Sequence, residues 1–184
     1  PDRNPPDRAA ARSAVRAELG IRGEEVVIVQ ASRLERWKGQ AALLEAMQER
    51  QVSAEGTNVW EAAWAGPGAL LAVTSPDPGE GAWYTAKLYR IDLASGAAEL
   101  LYTPEQQLGW PAAAPSGDQW AFVTATCSDR WIVAGDLHVA SAASQGGVVV
   151  DTAGVDVTWL QWLDEQRLGY FGLRGLTTVA GVYD

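Results

Sequence analysis

Apolar positions recur along this chain with two different spacings, and the change falls near residue 50. Ahead of it, Ala11, Val15 and Leu19 stand four apart within residues 9–19, which predicts an amphipathic helix entered at Pro5-Pro6-Asp7 and left at Gly20. Residues 26–31 form a continuous run rich in β-branched side chains, the pattern of a strand buried on both faces. Leu43, Leu44 and Met47 return to helical spacing over residues 40–50. The order expected is helix, strand, polar loop, helix.

Beyond residue 50 the apolar runs shorten and are punctuated by turn residues. Gly68-Ala69-Leu70-Leu71-Ala72-Val73 aligns with Gly117-Asp118-Gln119-Trp120-Ala121-Phe122, with Gly68 and Gly117, Val73 and Phe122, and Leu88 and Leu137 each 49 positions apart. Leu168-Gly169-Tyr170 follows Trp120-Ala121-Phe122 at 48. Gly66-Pro67-Gly68, Pro115-Ser116-Gly117 and Asp164-Glu165-Gln166 are turn-forming triplets ahead of the three runs, as hairpins require. Lys87-Leu88-Tyr89-Arg90-Ile91-Asp92 and Asp136-Leu137-His138-Val139-Ala140 read as outer strands that follow the first two runs. A unit of this length with four short strands has the size of a β-propeller blade, about 40 to 50 residues. A lone four-stranded blade cannot cover both faces of its sheet, so blades stack and aromatic residues fill the gaps between them. The stretch holds fewer than three such units, whereas closed rings use roughly four to eight. The expected fold is mainly β: a partial β-propeller of about two and a half four-stranded blades over residues 51–184, preceded by a short helix-strand-helix α/β fragment over residues 1–50.

Composition sharpens the division. Residues 1–50 carry nine Lys/Arg and eight Asp/Glu, and residues 51–184 carry five and fifteen, within a formal net charge of -9. So acidic a lobe repels phosphate backbones and anionic membrane surfaces, which disfavours nucleic-acid and membrane partners. The longest apolar runs fall far short of the ~20 residues that cross a bilayer as a helix. With no segment of signal-peptide length and no initiating Met, the chain reads as a processed or truncated fragment in a cytoplasmic setting. One cysteine, Cys127, and one histidine, His138, exclude an internal disulfide and a Cys/His zinc site built within the chain.

Two resemblances follow from particular residues. Val29-Gln30-Ala31-Ser32-Arg33-Leu34, Lys38-Gly39-Gln40 and Leu43-Leu44-Glu45-Ala46 resemble the opening of the second Rossmann-like domain of GT-B glycosyltransferases. That resemblance implies that Arg33 and Lys38 are latent contacts for the diphosphate of a nucleotide-sugar donor. Their place between a strand end and a helix start is also where open α/β sheets bind phosphate, and solvated loop charge is the competing reading. The resemblance stops near residue 50, ahead of the acidic motif that grips the sugar in that family, so no working donor site is expected. Trp64-Ala65-Gly66-Pro67-Gly68, Ala114-Pro115-Ser116-Gly117-Asp118, Leu88-Tyr89-Arg90-Ile91-Asp92 and Cys127-Ser128-Asp129-Arg130 resemble the propeller of prolyl oligopeptidase family serine peptidases, with turns shared by TolB-like propellers. In the peptidases the propeller filters substrates and a separate α/β-hydrolase domain cleaves them, which implies that domain, or further blades, as the partner. TolB-like propellers instead bind proteins.

Catalytic chemistry is poorly supplied. A serine hydrolase needs a nucleophile elbow such as G-x-S-x-G, a histidine base and an acid that orients it, and no such elbow is present. His138 alternates along a strand and is given no catalytic role. Asp151, Asp156, Asp164 and Glu165 lack EF-hand spacing and read as turn acids. Asp129-Arg130 reads as a loop-bracing pair, and Cys127 as a small packed side chain. No catalytic residue, no metal ligand and no cofactor is expected, and whether the parent protein is an enzyme is left open. The sheet edges of an incomplete ring favour self-association.

Overall fold

In the computed structural model, the residues described are 51–184 other than Cys127, together with Ser13, Arg16 and Ala17. The chain divides into two compact units, Pro1–Glu49 and Arg50–Asp184. Ser13, Arg16 and Ala17 are helical. The expected strand over residues 26–31, the helix over 40–50 and the loop carrying Arg33 and Lys38 lie outside the described residues, as does Cys127.

The second unit is built from short strands rich in β-branched and aromatic residues. The first sheet runs β1 (Asn58–Trp64), β2 (Ala69–Ser75), β3 (Lys87–Asp92) and β4 (Ala98–Tyr102); the second runs β5 (Gln107–Ala113), β6 (Gln119–Ala125), β7 (Asp136–Ser141) and β8 (Ser144–Val149). The third holds β9 (Asp156–Trp162), β10 (Leu168–Arg174) and β11 (Thr177–Tyr183). Every pairing is antiparallel between chain neighbours, so each sheet is a meander. Polar turn residues hold the reversals: the Asp92 carboxylate accepts the backbone N–H groups of Ala94 and Ser95, and that of Asp164 accepts those of Gln166 and Arg167.

The sheets pack face against face. Leu71, Val73 and Leu88 from the first meet Trp120, Phe122 and Ala140 from the second in one buried cluster. The opposite face of the second sheet, with Ala121, Val123, Leu137 and Val139, meets Val157, Leu160, Trp162 and Leu168 of the third. Each fully buried large side chain contributes about 1.5–3 kcal/mol relative to exposure, so the two seams hold the unit together. Strands β2 and β6 are buried along nearly their whole length. First strands neighbour first strands, β1 against β5 and β5 against β9, and β4 touches β8. This is the partial β-propeller expected from the repeat.

Three details differ from the expectation. The strands containing Leu88 and Leu137 are third in their sheets, and β4 and β8 lie outside them. A 3₁₀ helix, Glu80–Thr85, interrupts the β2–β3 connection, packs on β2 and β5, and buries Trp83 in an apolar cluster shared with Trp60 and Trp110. The third is a one-residue slip. Trp64 pairs with Leu70, Ala113 with Trp120 and Trp162 with Leu168, so the middle turn is one residue longer than the other two. Phe122 and Tyr170 therefore correspond as expected, but their counterpart in the first sheet is Ala72; Val73 corresponds to Val123. Because side chains alternate faces, that slip decides which seam each residue enters.

The turns interlock as well. Gly66 and Gly117 both adopt left-handed conformations, φ 73° and 82°. A Cβ on Gly66 would stand 2.6 Å from the Ser116 carbonyl oxygen, and one on Gly117 2.5 Å from that of Ala65, so backbone meets backbone between the first two turns. The next pair is joined by the Ser116 hydroxyl, which donates to Glu165 Oε2 at 2.7 Å, and by the Gln119 amide, which donates to the Glu165 carbonyl at 2.9 Å.

Candidate functional site

The most distinctive polar cluster lies along the first strands, where each pairing is interrupted by a bulge. The register shifts between Val59 and Glu61 in β1, between Gly109 and Ala112 in β5, and opposite Phe171 and Gly172 in β9. Bulges re-aim side chains and free backbone groups. Trp110, at the β5 bulge, has φ 55°, and its freed backbone N–H is donated to Glu61 Oε2 at 2.8 Å. Its indole N–H is donated to the Val133 carbonyl at 2.9 Å. Trp60 in β1 donates its indole N–H to the Ser75 hydroxyl at 2.8 Å.

Arg130 enters this cluster from the loop between β6 and β7. That loop is tied at both ends: the Ser128 backbone N–H is donated to Gln107 Oε1, and Gly135 and Val157 exchange two backbone hydrogen bonds with the third sheet. The guanidinium of Arg130 lies over two indoles, 4.4 Å from the centroid of Trp131 and 5.3 Å from that of Trp60. Its Nε is 3.4 Å from Glu80 Oε1, an ion contact without hydrogen-bond geometry. The expected Asp129-Arg130 brace takes a different form: the Asp129 carboxylate accepts the backbone N–H of Arg130, and the guanidinium turns to Glu80 and the indoles. Trp131 itself has φ 67° and is 61% exposed. Left-handed conformations cost a bulky residue on the order of 1–3 kcal/mol and concentrate where function holds them. Two of the three described non-glycine residues with positive φ are tryptophans of this cluster.

Burial raises the carboxyl of Glu61 above its ordinary range, and the Trp110 N–H and the Arg130 charge pull it back in part. Glu61 Oε1 is buried without a hydrogen-bond partner among the described residues. The arrangement can hold a carboxylate and a guanidinium in fixed positions beside exposed aromatic surface, which suits binding. It supplies no nucleophile.

His138 lies elsewhere, in the seam between the first two sheets, beside a cleft of about 310 Å³ that Tyr102, Glu105, Thr124 and Asp136 also line. The Thr124 hydroxyl and His138 Nε2 are 2.8 Å apart, and the imidazole stacks on Phe122 with centroids 4.9 Å apart. Burial lowers the His138 pKa, and Asp136 opposes that shift. Nδ1, where a catalytic triad places its acid, has no partner among the described residues. Asp151 and Asp164 accept backbone N–H groups within their own turns, and Glu165 joins neighbouring turns. Among the described residues no group of three or more His, Cys, Asp or Glu is placed to hold a metal ion, and no helix is long and apolar enough to cross a membrane. Arg33 and Lys38 lie outside the described residues.

The aromatic cluster has no signature in residue order. Trp60 in β1 and Arg130 are 70 residues apart and meet only through the sheet packing. No protein-family model matches the chain, and no curated protein matches it. Among solved structures, the WD40 β-propeller domain of Doa1 is similar over 71% of this chain and 39% of its own, at 10% identity and a TM-score of 0.43. The AtxE2 isopeptidase with Astexin3-dC4 bound is similar over 64% of this chain and 21% of its own, at 17% identity and a TM-score of 0.41. The chain thus spans well under half the length of either.

Proposed function

We propose that residues 51–184 are a non-catalytic propeller segment whose work is recognition of polypeptide, and that its parent is a prolyl oligopeptidase-like serine peptidase in which the propeller filters substrates. The observation that carries the recognition reading is the Arg130 cluster: a guanidinium set over Trp60 and Trp131, with Trp131 exposed and held in a left-handed conformation. Aromatic and arginine side chains are the commonest energetic anchors of protein interfaces. The partner on this reading is the α/β-hydrolase domain or the remaining blades of the parent, in a cytoplasmic setting. The test is a titration with unstructured peptides followed by Trp fluorescence. Saturable binding weakened at least about tenfold by Trp131→Ala supports recognition, since an interface hot spot is worth about 2 kcal/mol or more. Peptide hydrolysis by this chain that a serine-directed inhibitor abolishes would overturn the non-catalytic reading.

A TolB-like protein-binding scaffold is the second reading, favoured by exposed Trp64 and Ile132, each 69% exposed. A downstream G-x-S-x-G with later Asp and His in the same reading frame separates the peptidase parent from the scaffold. Residues 1–50 are proposed as a glycosyltransferase-derived fragment joined to the propeller. Calorimetry with a nucleotide-sugar that detects no binding, or binding indifferent to Arg33→Ala and Lys38→Ala, would remove the third reading, a remnant donor site.

A further inference from the structure

The cleft beside His138 lies between the first two sheets, both of them four-stranded. Tyr102 ends β4, Glu105 sits in the connection to β5, Thr124 belongs to β6, and Asp136 and His138 belong to β7. We propose that this cleft of about 310 Å³ is a binding site for a guanidinium group, held by the carboxylates of Glu105 and Asp136 against the rings of Tyr102 and His138. The site is separate from the Arg130 cluster and stands or falls apart from the peptide-recognition reading.

Charge favours a cation. No Lys or Arg lines the cleft, and among the described residues the exposed carboxylates of Glu105 and Asp136 take part in no ion pair. Residues 51–184, with five Lys/Arg against fifteen Asp/Glu, draw cations toward the surface at long range.

Hydrogen-bonding capacity points the same way. His138 is only 7% exposed, and its Nδ1 is buried without a partner among the described residues, while Nε2 lies 2.8 Å from the Thr124 hydroxyl. Burial lowers the pKa of the ring and keeps it neutral at pH 7, with Asp136 opposing. A neutral ring that donates from Nε2 keeps its lone pair on Nδ1. The cleft therefore gathers acceptors, two carboxylates and an imidazole nitrogen, with hydroxyl groups that serve either way. A guanidinium matches that set, because it carries only donors and spreads them in one plane.

Shape selects a planar cation over a compact one. The imidazole stacks on Phe122, and the Tyr102 ring tilts against both, 4.6 Å from Phe122 and 5.8 Å from His138 between centroids. The stack fixes the two rings that line the cleft, and a guanidinium gains from lying on aromatic faces while its edge meets carboxylates.

His138 is the sole histidine of the chain, so its ring signals report the cleft without overlap. The full chain, labelled with ¹⁵N at histidine, is titrated with methylguanidinium, with N-acetylarginine amide, and with tetramethylammonium at matched ionic strength as the cation that lacks donors. The guanidinium compounds should shift the His138 ring resonances saturably and lower its pKa further, since a bound cation disfavours the imidazolium; tetramethylammonium should do neither. Binding of the arginine amide would fit a side chain presented by a polypeptide, and binding of methylguanidinium alone would fit a free small cation. Glu105→Gln and Asp136→Asn should each weaken binding about fivefold or more, whereas Asp118→Asn, at an exposed position in the β5–β6 turn, should leave it unchanged. If Asp136→Asn perturbs the fold, Glu105→Gln and the unmodified chain still decide. No shift, a titration that never saturates, an equal response to tetramethylammonium, or an affinity indifferent to the cleft variants would overturn the proposal.

Discussion

Glu61 and Trp110 occupy corresponding positions in neighbouring first strands, 49 residues apart, and the carboxylate of one accepts the backbone N–H of the other at 2.8 Å. The repeat period of the chain is therefore written into a side-chain contact as well as into strand pairing. Ser116 and Glu165, also 49 apart, join the next pair of units at their turns. Both bonds bridge sheets that the apolar seams already press together.

Removing the Glu61 acceptor should cost more than neutralising it. Glu61→Ala leaves the Trp110 N–H unpaired in a half-buried site, a loss of about 1–3 kcal/mol. Glu61→Gln keeps an acceptor and removes a charge that burial penalises, so its stability at pH 7 should stay within about 1 kcal/mol of the parent. Urea unfolding of both variants checks the order; equal losses would show that charge, and not the hydrogen bond, is what matters there.

The pH dependence of stability should carry an opposite mark from each buried titrating group. His138 titrates below 6.5 in the folded chain and near 6.5 unfolded. Between those values the unfolded chain binds more protons, so this histidine makes stability rise with pH and fall on acidification below about pH 6.5. Glu61, whose folded pKa lies above 4.5, works the other way: its contribution falls as pH rises through the window just above 4.5. The urea midpoint of the parent chain should therefore drop between pH 7.5 and 5.5 by more than that of His138→Gln. Identical drops would contradict the buried, neutral imidazole.

The turn glycines should resist substitution for two reasons at once. Gly117→Ala puts a Cβ into a left-handed backbone and against the Ala65 carbonyl, and the expected loss is about 1–3 kcal/mol by urea unfolding. Gly68→Ala, whose Cβ would meet open space and whose φ lies outside the left-handed region, is the matched control and should cost less. A Gly117→Ala chain as stable as the parent would deny the interlocked turns.

The isolated chain should self-associate, since the uncharged edge of β11 is open among the described residues, and Val148 and Val149 on β8 are 60% and 57% exposed. Light scattering at rising concentration checks this, and a monomer stable across the range would contradict it.

Much of the architecture could be read from residue order because the propeller logic is local. Turn triplets at Gly66-Pro67-Gly68 and Pro115-Ser116-Gly117 mark the hairpins, and Leu88 and Leu137 keep their 49-residue spacing as true equivalents in β3 and β7. The slip that exchanges Val73 for Ala72 opposite Phe122 arises from one extra residue in a turn, and alternating apolar runs score almost equally well in either register. Trp83 gave no helical periodicity because its 3₁₀ helix has only six residues. The Arg130 cluster depended on bulges in β1 and β5, which place Trp60 and Trp110 through backbone geometry that composition does not encode.

The central claim is that three successive meanders pack face to face in the stated register. The most direct measurement is a set of nuclear Overhauser contacts in a methyl-labelled, aromatic-labelled sample. The ring of Phe122 should contact the methyl groups of Val73 and Leu88, and the methyl groups of Val123 and Leu137 should contact those of Val157 and Leu168, from the opposite face of the same sheet. Contacts from Phe122 to Val157 and Leu168, or from Val123 to Leu88, would place the second sheet the other way round and contradict the stack.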